Sequence, residues 1–413
     1  MTTDARASAP ARPGRAGLLR LLGPAFVAAI AYVDPGNVAA NLTAGAGYGY
    51  LLLWVLVAAN GMAVLVQYLS AKLAVVSGST LPEVLRDRLG RKARLAFWGQ
   101  AELVAIATDL AEVIGGAVAL NLLFGWDLLV GGVVTGVVSL LMLALQSRTG
   151  VRRFEAVIMG FLLIIVVGFV SSNFLSPPDT REALAGLVPR FDGAETVLLA
   201  ASMLGATVMP HAVYLHSAMA RDHHGTVAAR DTRRILGATR IDVVAALVVA
   251  GLVNISMLLL AASALRGVEG TDTLEGAHAA VAAHLGTGAA LLFAIGLLAS
   301  GLASTSVGAY AGAVIMQGLL RIEVPLLLRR VVTLVPALVC LGMGVDPTRA
   351  LVVSQVVLSF GIPFALVPLV RLTSSRDLMG DHANRPLTRV LAVVAVGLVV
   401  ALNVALLYLT FFG

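Results

Sequence analysis

The chain has 413 residues, of which 59% are hydrophobic and only 13% charged, with a mean hydropathy of +0.93. A soluble domain carries about 25% charged residues to cover its surface, so water-soluble domains are excluded and an all-α integral membrane protein is expected. The single cysteine, Cys340, excludes an intrachain disulfide and a thiolate metal cluster.

Residues 1–17 are rich in Ala, Arg and Pro and are expected to form a disordered cytoplasmic tail. With the apolar run after Arg20 they mimic a signal peptide. That run contains Asp34-Pro35 and lacks a small-residue cleavage site, so it reads as a retained first helix. A membrane-crossing helix needs about 20 mostly apolar residues. Eleven segments qualify, at 22–45, 50–76, 94–124, 128–146, 154–175, 195–219, 241–265, 287–320, 330–345, 348–371 and 387–412. They are called spans 1 to 11 below. Outer-membrane strands would alternate in short segments, whereas here whole runs such as Val243–Leu265 are apolar. The polar stretches between spans are too short for a separate soluble domain, so 18–413 reads as one transmembrane domain.

Orientation follows from the basic residues. The tail and the loops after spans 2, 4, 6, 8 and 10 hold 24 of the 29 Lys and Arg. The alternate loops hold only Arg181, Arg190, Arg266 and Arg349. This is the positive-inside asymmetry. It predicts a multi-pass protein of the cell membrane with a cytoplasmic N-terminus and an extracytoplasmic C-terminus. The net charge of +6 is then a topology signal, and nucleic acid is not expected as a partner.

Span 1 carries Asp34-Pro35-Gly36-Asn37 at its middle, and span 6 carries Met209-Pro210-His211 after Gly205-Ala206-Thr207. Proline removes a backbone donor, glycine loosens the chain, and Asp and Asn solvate freed backbone. The whole tetrad 34–37 is therefore expected to be unwound, which at that depth requires burial in protein or a cavity. Spans 1 and 6 run in opposite directions, as a 5+5 inverted repeat of 22–175 and 195–371 requires, with span 11 (387–412) added. Matched breaks in the two halves point to a transporter binding site.

A charge at the bilayer centre costs roughly 2.5–3.5 kcal/mol on insertion scales. Asp34, Glu102, Asp109 and Glu112 all fall inside spans, so function is expected of at least some of them. Asp34 offers a carboxylate and Asn37 an amide oxygen. The half-helices ending near Ala31 and Ala206 offer carbonyls at the negative ends of their dipoles. These are cation ligands. Met209 is either core packing or a soft ligand, and a thioether among oxygens selects a transition metal such as Mn²⁺ or Fe²⁺ over Mg²⁺ or Ca²⁺.

The two motifs, 175 residues apart in an eleven-span chain, resemble the natural-resistance-associated macrophage protein (Nramp) family of divalent-metal transporters. The resemblance covers nearly the whole chain, with no departure in either motif. It implies a LeuT-type fold and proton-coupled uptake of Mn²⁺ or Fe²⁺. It also implies that Asp34, Asn37 and Met209 bind the metal together with the Ala31 or Ala206 carbonyl. The ions are cargo, and no permanently bound cofactor is expected.

Glu102, Asp109 and Glu112 fall within an arc of about 80° on span 3, a stripe that suits a proton relay or, for Glu102, an ion pair near the cytoplasmic end. His211 lies beside the break, and its imidazole suits proton handling. The expected pathway is therefore Asp34, His211, Glu112, Asp109 and Glu102, with His216 as a possible continuation. Arg329 and Arg330 are either counter-charges to the stripe or, by default, ordinary positive-inside residues. Gln355 on span 10 either joins the metal site in an occluded state or bonds a neighbouring helix. Ser300, Ser304, Thr305 and Ser306 on span 8 read as close-packing residues.

The alternative is a sodium-coupled amino-acid or other small-solute carrier of the same fold. There, however, Asp34 would repel a substrate carboxylate and Met209 would have no task. No catalytic constellation lies in or beside the spans, so the chain is not expected to be an enzyme. Nothing in it demands a partner subunit, and a monomer in the lipid bilayer is expected.

Overall fold

The computed structural model describes residues 23–149, 151–225, 231–271 and 273–412; the tail 1–17 lies outside them. Among the described residues every regular element is a helix. Among those residues eight helices are long and apolar enough to cross a membrane. The other three expected spans take the following forms. Span 1 is divided into Pro24–Ile30, a 3₁₀ turn Ala31–Val33 and Pro35–Tyr48. Span 4 is Leu128–Thr149, a single helix of 22 residues. Span 9, Leu326–Gly342, has 17 residues and carries Arg329 and Arg330. Span 6 is Gly193–Thr207 and Pro210–His224.

The first break differs from expectation. Irregular backbone is confined to 31–34, and Pro35, Gly36 and Asn37 already form the first turn of the second half. The reason is local. Proline at the first helical position loses no hydrogen bond, because that N–H has no intrahelical partner, and its φ is preset for a helix. Asp34, just before it, is extended (φ −70°, ψ 168°) and caps the new helix by accepting from the Asn37 N–H.

The packing has the symmetry of an inverted repeat. Span 3 packs on span 8, span 2 on span 7, and each half of span 1 against the opposite half of span 6. Spans 5 and 8 pair as do spans 10 and 3, and spans 1 and 7 as do spans 6 and 2. Adding five to each number, modulo ten, maps these pairs onto one another. Span 11, Pro386–Phe412, stands outside the symmetry, against span 10 and the first half of span 6.

Three fastenings tie span ends to their neighbours. The Asp242 carboxylate on span 7 accepts from the Gly23 and Ala25 N–H groups, each at 3.0 Å, and so anchors the start of span 1. Asn173 reaches from the end of span 5 to the Ser256 carbonyl of span 7 at 3.0 Å. At the basic end the short helix Leu81–Arg88 begins with a reciprocal Thr80–Glu83 capping box. Glu83 also pairs with Arg221 near the end of span 6, at 2.8 Å.

Burial pushes the Glu83 carboxyl up, but hydrogen bonds from the Thr80 N–H and Arg221, with the Arg221 charge, together hold it below its usual value. A carboxyl depressed in the folded state contributes stability above its unfolded value, about pH 4.3, and that contribution is lost as pH falls through the folded value. The pair is partly exposed, so its worth is about 0.5 kcal/mol after solvent screening. Glu83→Gln should lower the melting temperature slightly at pH 7 and flatten the loss of stability between neutral and acid pH. Parallel pH–melting curves for variant and wild type would show that the pair contributes nothing.

Candidate metal site and its charged neighbours

Asp34 is fully buried at the joint between the two breaks. Its Oδ1 accepts from the Asn37 backbone N–H at 2.9 Å and from Asn37 Nδ2 at 2.7 Å. Its Oδ2 accepts from Gln355 Nε2 at 3.1 Å. Asn37 Nδ2 also donates to the Ala206 carbonyl at 2.9 Å, so one amide joins span 1 to span 6. Ala31 closes the first half of span 1 and Ala206 lies in the last turn of the first half of span 6. Met209, extended (φ −62°, ψ 120°), begins the second half of span 6. Asp34, Asn37, Met209 and Gln355 have no exposed surface.

The donor set fits a cation. Asn37 Oδ1 and Gln355 Oε1 are buried acceptors with no hydrogen-bond partner among the described residues. A half-turn of the Asn37 amide exchanges its nitrogen for its oxygen. Three oxygens, from Asp34, Asn37 and Ala206, would then face one point, an arrangement that repels itself unless a cation lies between them. Among the described residues no group of three or more His, Cys, Asp or Glu could hold a metal. At this joint Asp34 is the one carboxylate among the described residues that touches the Asn37 and Gln355 amides.

Residues that the sequence reading did not single out complete the joint. The carbonyls freed by the 3₁₀ turn are taken by other spans: Tyr32 O accepts from Asn254 Nδ2 at 2.7 Å, and Val33 O from Ser300 Oγ at 2.5 Å. Ser300, read as a packing residue, thus satisfies broken backbone. Asn254 was legible in principle as an amide amid the apolar run of span 7. Gly36 and Gly205 let span 10 approach both breaks. A Cβ on Gly36 would run into the Gln355 amide, and one on Gly205 into the Gln355 carbonyl.

The acidic stripe faces two arginines, which corrects the default reading of Arg329 and Arg330 as ordinary positive-inside residues. Arg330 has no exposed side-chain surface and lies 2.7 Å from Asp109 and 3.8 Å from Glu112. It also donates to Ser139 at 3.1 Å and to Thr305 at 3.5 Å. Arg329 pairs with Glu102 at 2.7 Å, which is the ion pair entertained for that residue. Neither carboxylate oxygen of Glu112 has a hydrogen-bond partner among the described residues. Gly308 and Gly312, one turn apart on span 8, make the room. A Cβ on Gly308 would sit 2.8 Å from Glu112 Oε1, and one on Gly312 would overlap the Arg329 guanidinium.

His211 lies against span 3, its Nδ1 3.3 Å from Thr108 Oγ1, next to Asp109 in sequence. His216 does not lie with the stripe. Five residues turn the helix by about 140°, and its Nδ1 sits 2.7 Å from Gln67 Oε1 on span 2. Gln67 in turn bonds the Tyr32 hydroxyl in the first break.

Among the described residues Arg330 is the one guanidinium paired with both Asp109 and Glu112. Removing it should leave buried charge uncompensated at a cost of about 3–5 kcal/mol. Arg330→Met should therefore melt well below wild type in detergent, and Asp109→Asn placed on top should recover part of the loss. A wild-type melting temperature for Arg330→Met would show that the arginine does not neutralise the stripe.

Comparison with known proteins follows the same lines. Residues 25–409 match the profile of the family described as natural resistance-associated macrophage protein-like. The chain is 60% identical over 394 residues to the divalent metal cation transporter MntH of Mycobacterium tuberculosis, covering 95% of this chain and 92% of that one. Its structure is similar to the crystal structure of the Eremococcus coleocola manganese transporter. The TM-score is 0.86 at 30% identity, over 97% of this chain and 89% of that one. MHP1, a nucleobase-cation-symport-1 family transporter, matches with a TM-score of 0.60 at 17% identity, over 94% and 92%, and shares the fold alone.

Proposed function

The chain belongs to the natural resistance-associated macrophage protein-like family, and on that premise we propose that it imports divalent transition-metal ions with protons by alternating access. The cargo is Mn²⁺ and Fe²⁺, with Cd²⁺ and similar ions. The observation that carries this is the joint itself: a buried carboxylate, Asp34, shared by span 1, the Ala206 end of span 6 and Gln355 of span 10. The ligands are Asp34, Asn37, Met209 and the Ala206 or Ala31 carbonyl, with Gln355 joining when the site is closed.

The chemistry of the set favours transport over storage. One negative charge with neutral oxygens and a thioether gives modest affinity, so the ion can leave again. The sulfur tilts selection toward transition metals over Ca²⁺ and Mg²⁺. Arrival of a doubly charged cation beside Asp34 favours its ionised form, which expels a proton and so links the two fluxes.

The proton leaves along span 3. His211, two residues past Met209, has its Nδ1 3.3 Å from Thr108, the neighbour of Asp109 in sequence, and the Glu112–Arg330–Asp109 cluster is followed in span 3 by Glu102–Arg329. Each carboxylate there has an arginine close enough to stabilise its charged form while a proton passes. The positive-inside bias supports a cytoplasmic position for that end, so the proton is released inward with the metal. The protein works as a transporter in the cell membrane, as a monomer, with no permanently bound cofactor.

Reconstitution in proteoliposomes with recorded internal pH provides the test. Saturable Mn²⁺ entry with acidification of the lumen is expected. Asp34→Asn should abolish it, because the variant keeps the shape of the joint without its charge; robust uptake by that variant would sink the mechanism. Met209→Ala should weaken Mn²⁺ and Cd²⁺ uptake while admitting Ca²⁺ or Mg²⁺. Unchanged ion preference would mean that the sulfur does not meet the cargo.

A further inference from the structure

At the basic end of the bundle, away from the metal joint, a groove of about 710 Å³ lies between the short helix Leu81–Arg88, the start of span 3 and the last turns of span 10. Apart from Arg88 and Arg371 at its rim, every lining residue is apolar. Its floor is an edge-to-face pair, Phe97 of span 3 and Phe364 of span 10, with ring centroids 6.1 Å apart. Pro363 and Pro368 add flat apolar wall.

The walls are anchored independently of any occupant. The short helix is held by its Thr80–Glu83 capping box, by Arg221 on Glu83, and by the Ser217 hydroxyl accepting from Leu81 N–H at 3.0 Å. The end of span 10 is held by Asn384, which donates to Thr373 and Ser374 and accepts from Lys72. A groove built this way costs little to occupy, since its sides are already ordered.

Both charged residues that line the groove are arginines. Nearby Arg86, Arg221 and Arg329 all have carboxylate partners. Arg88 and Arg371 are exposed and, among the described residues, have no ion-pair or hydrogen-bond partner. Arg94, one turn before Phe97 on the same face of span 3, has a buried Nε without a partner among those residues. Apolar walls below guanidiniums at the level of the cytoplasmic loops match a lipid with acyl chains and an anionic phosphate headgroup. A soluble anion would use the rim and leave the groove unfilled.

We propose that this groove is a binding site for an anionic phospholipid of the cytoplasmic leaflet, its phosphate held by Arg88 and Arg371 and an acyl chain lying over Phe97 and Phe364. The lipid sits against the segment of span 10 that leads from Gln355 to the membrane surface.

The test is lipid retention by the full-length purified protein, read by native mass spectrometry during titration with phosphatidylglycerol or phosphatidylcholine. It needs neither metal nor flux, so its failure is separate from any failure of the transport reading. Phosphatidylglycerol should bind more tightly than phosphatidylcholine. Arg88→Gln with Arg371→Gln should weaken phosphatidylglycerol by about 30-fold, taking about 1 kcal/mol for each basic side chain near a headgroup. Phe364→Trp, which keeps the charges but fills the groove, should displace the lipid in a protein whose melting temperature confirms folding. Inorganic phosphate should not compete. Equal binding of the two lipids, phosphatidylglycerol binding unchanged in both variants, or displacement by inorganic phosphate would each overturn the proposal.

Discussion

A carboxylate removed from water must be solvated by the protein around it, and Asp34 imposes that requirement at the centre of this molecule. Its two oxygens are met by the Asn37 backbone, the Asn37 amide and the Gln355 amide. These donors come from the first turn of the helix that Asp34 caps and from a span 321 residues away in sequence. The requirement reaches further, because the chain that presents Asp34 has abandoned its own helical bonds. Asn254 and Ser300 supply the missing donors from spans 7 and 8. Spans 1, 6, 7, 8 and 10 are thus held to one another by the needs of four residues of irregular backbone.

The charged layer on span 3 obeys the same rule with a different solution. Neutral donors satisfy Asp34, whereas Asp109 and Glu102 are met by guanidiniums from span 9. Bringing two arginines that far inside demands space, and span 8 yields it through Gly308 and Gly312. Span 8 therefore does two jobs with small residues. At Ser300 it donates to span 1, and at its glycines it steps back from the ion pairs. A neutral cradle from spans 1, 6 and 10 surrounds Asp34, and an ionic one between spans 3 and 9 surrounds the stripe.

What could be read from the sequence was whatever is local or periodic. Hydropathy runs gave the spans, lysine and arginine counts gave an orientation, and Pro beside Asp or Met marked the breaks. The register of the first break was misjudged because proline can open a helix as well as interrupt one, and Asp34 supplies the cap that decides between them. Arg329 and Arg330 look like membrane-surface cations because nothing in span 9 itself reveals that span 3 will present carboxylates to them. His216 and His211 share a helix but not a face, and only packing shows which neighbours each meets. The same limit hid Gly308 and Gly312, where the informative feature is the absence of a side chain opposite someone else's.

The Asn37 amide bridges Asp34 and Ala206 with a hydrogen-bond donor of the protein's own. The two half-helix ends are therefore drawn together by a partial positive charge that never leaves the chain. For a carrier working in a cycle, this bears on the journey made without cargo. The joint is closed on the protein's own amide, with no bare carboxylate facing a carbonyl.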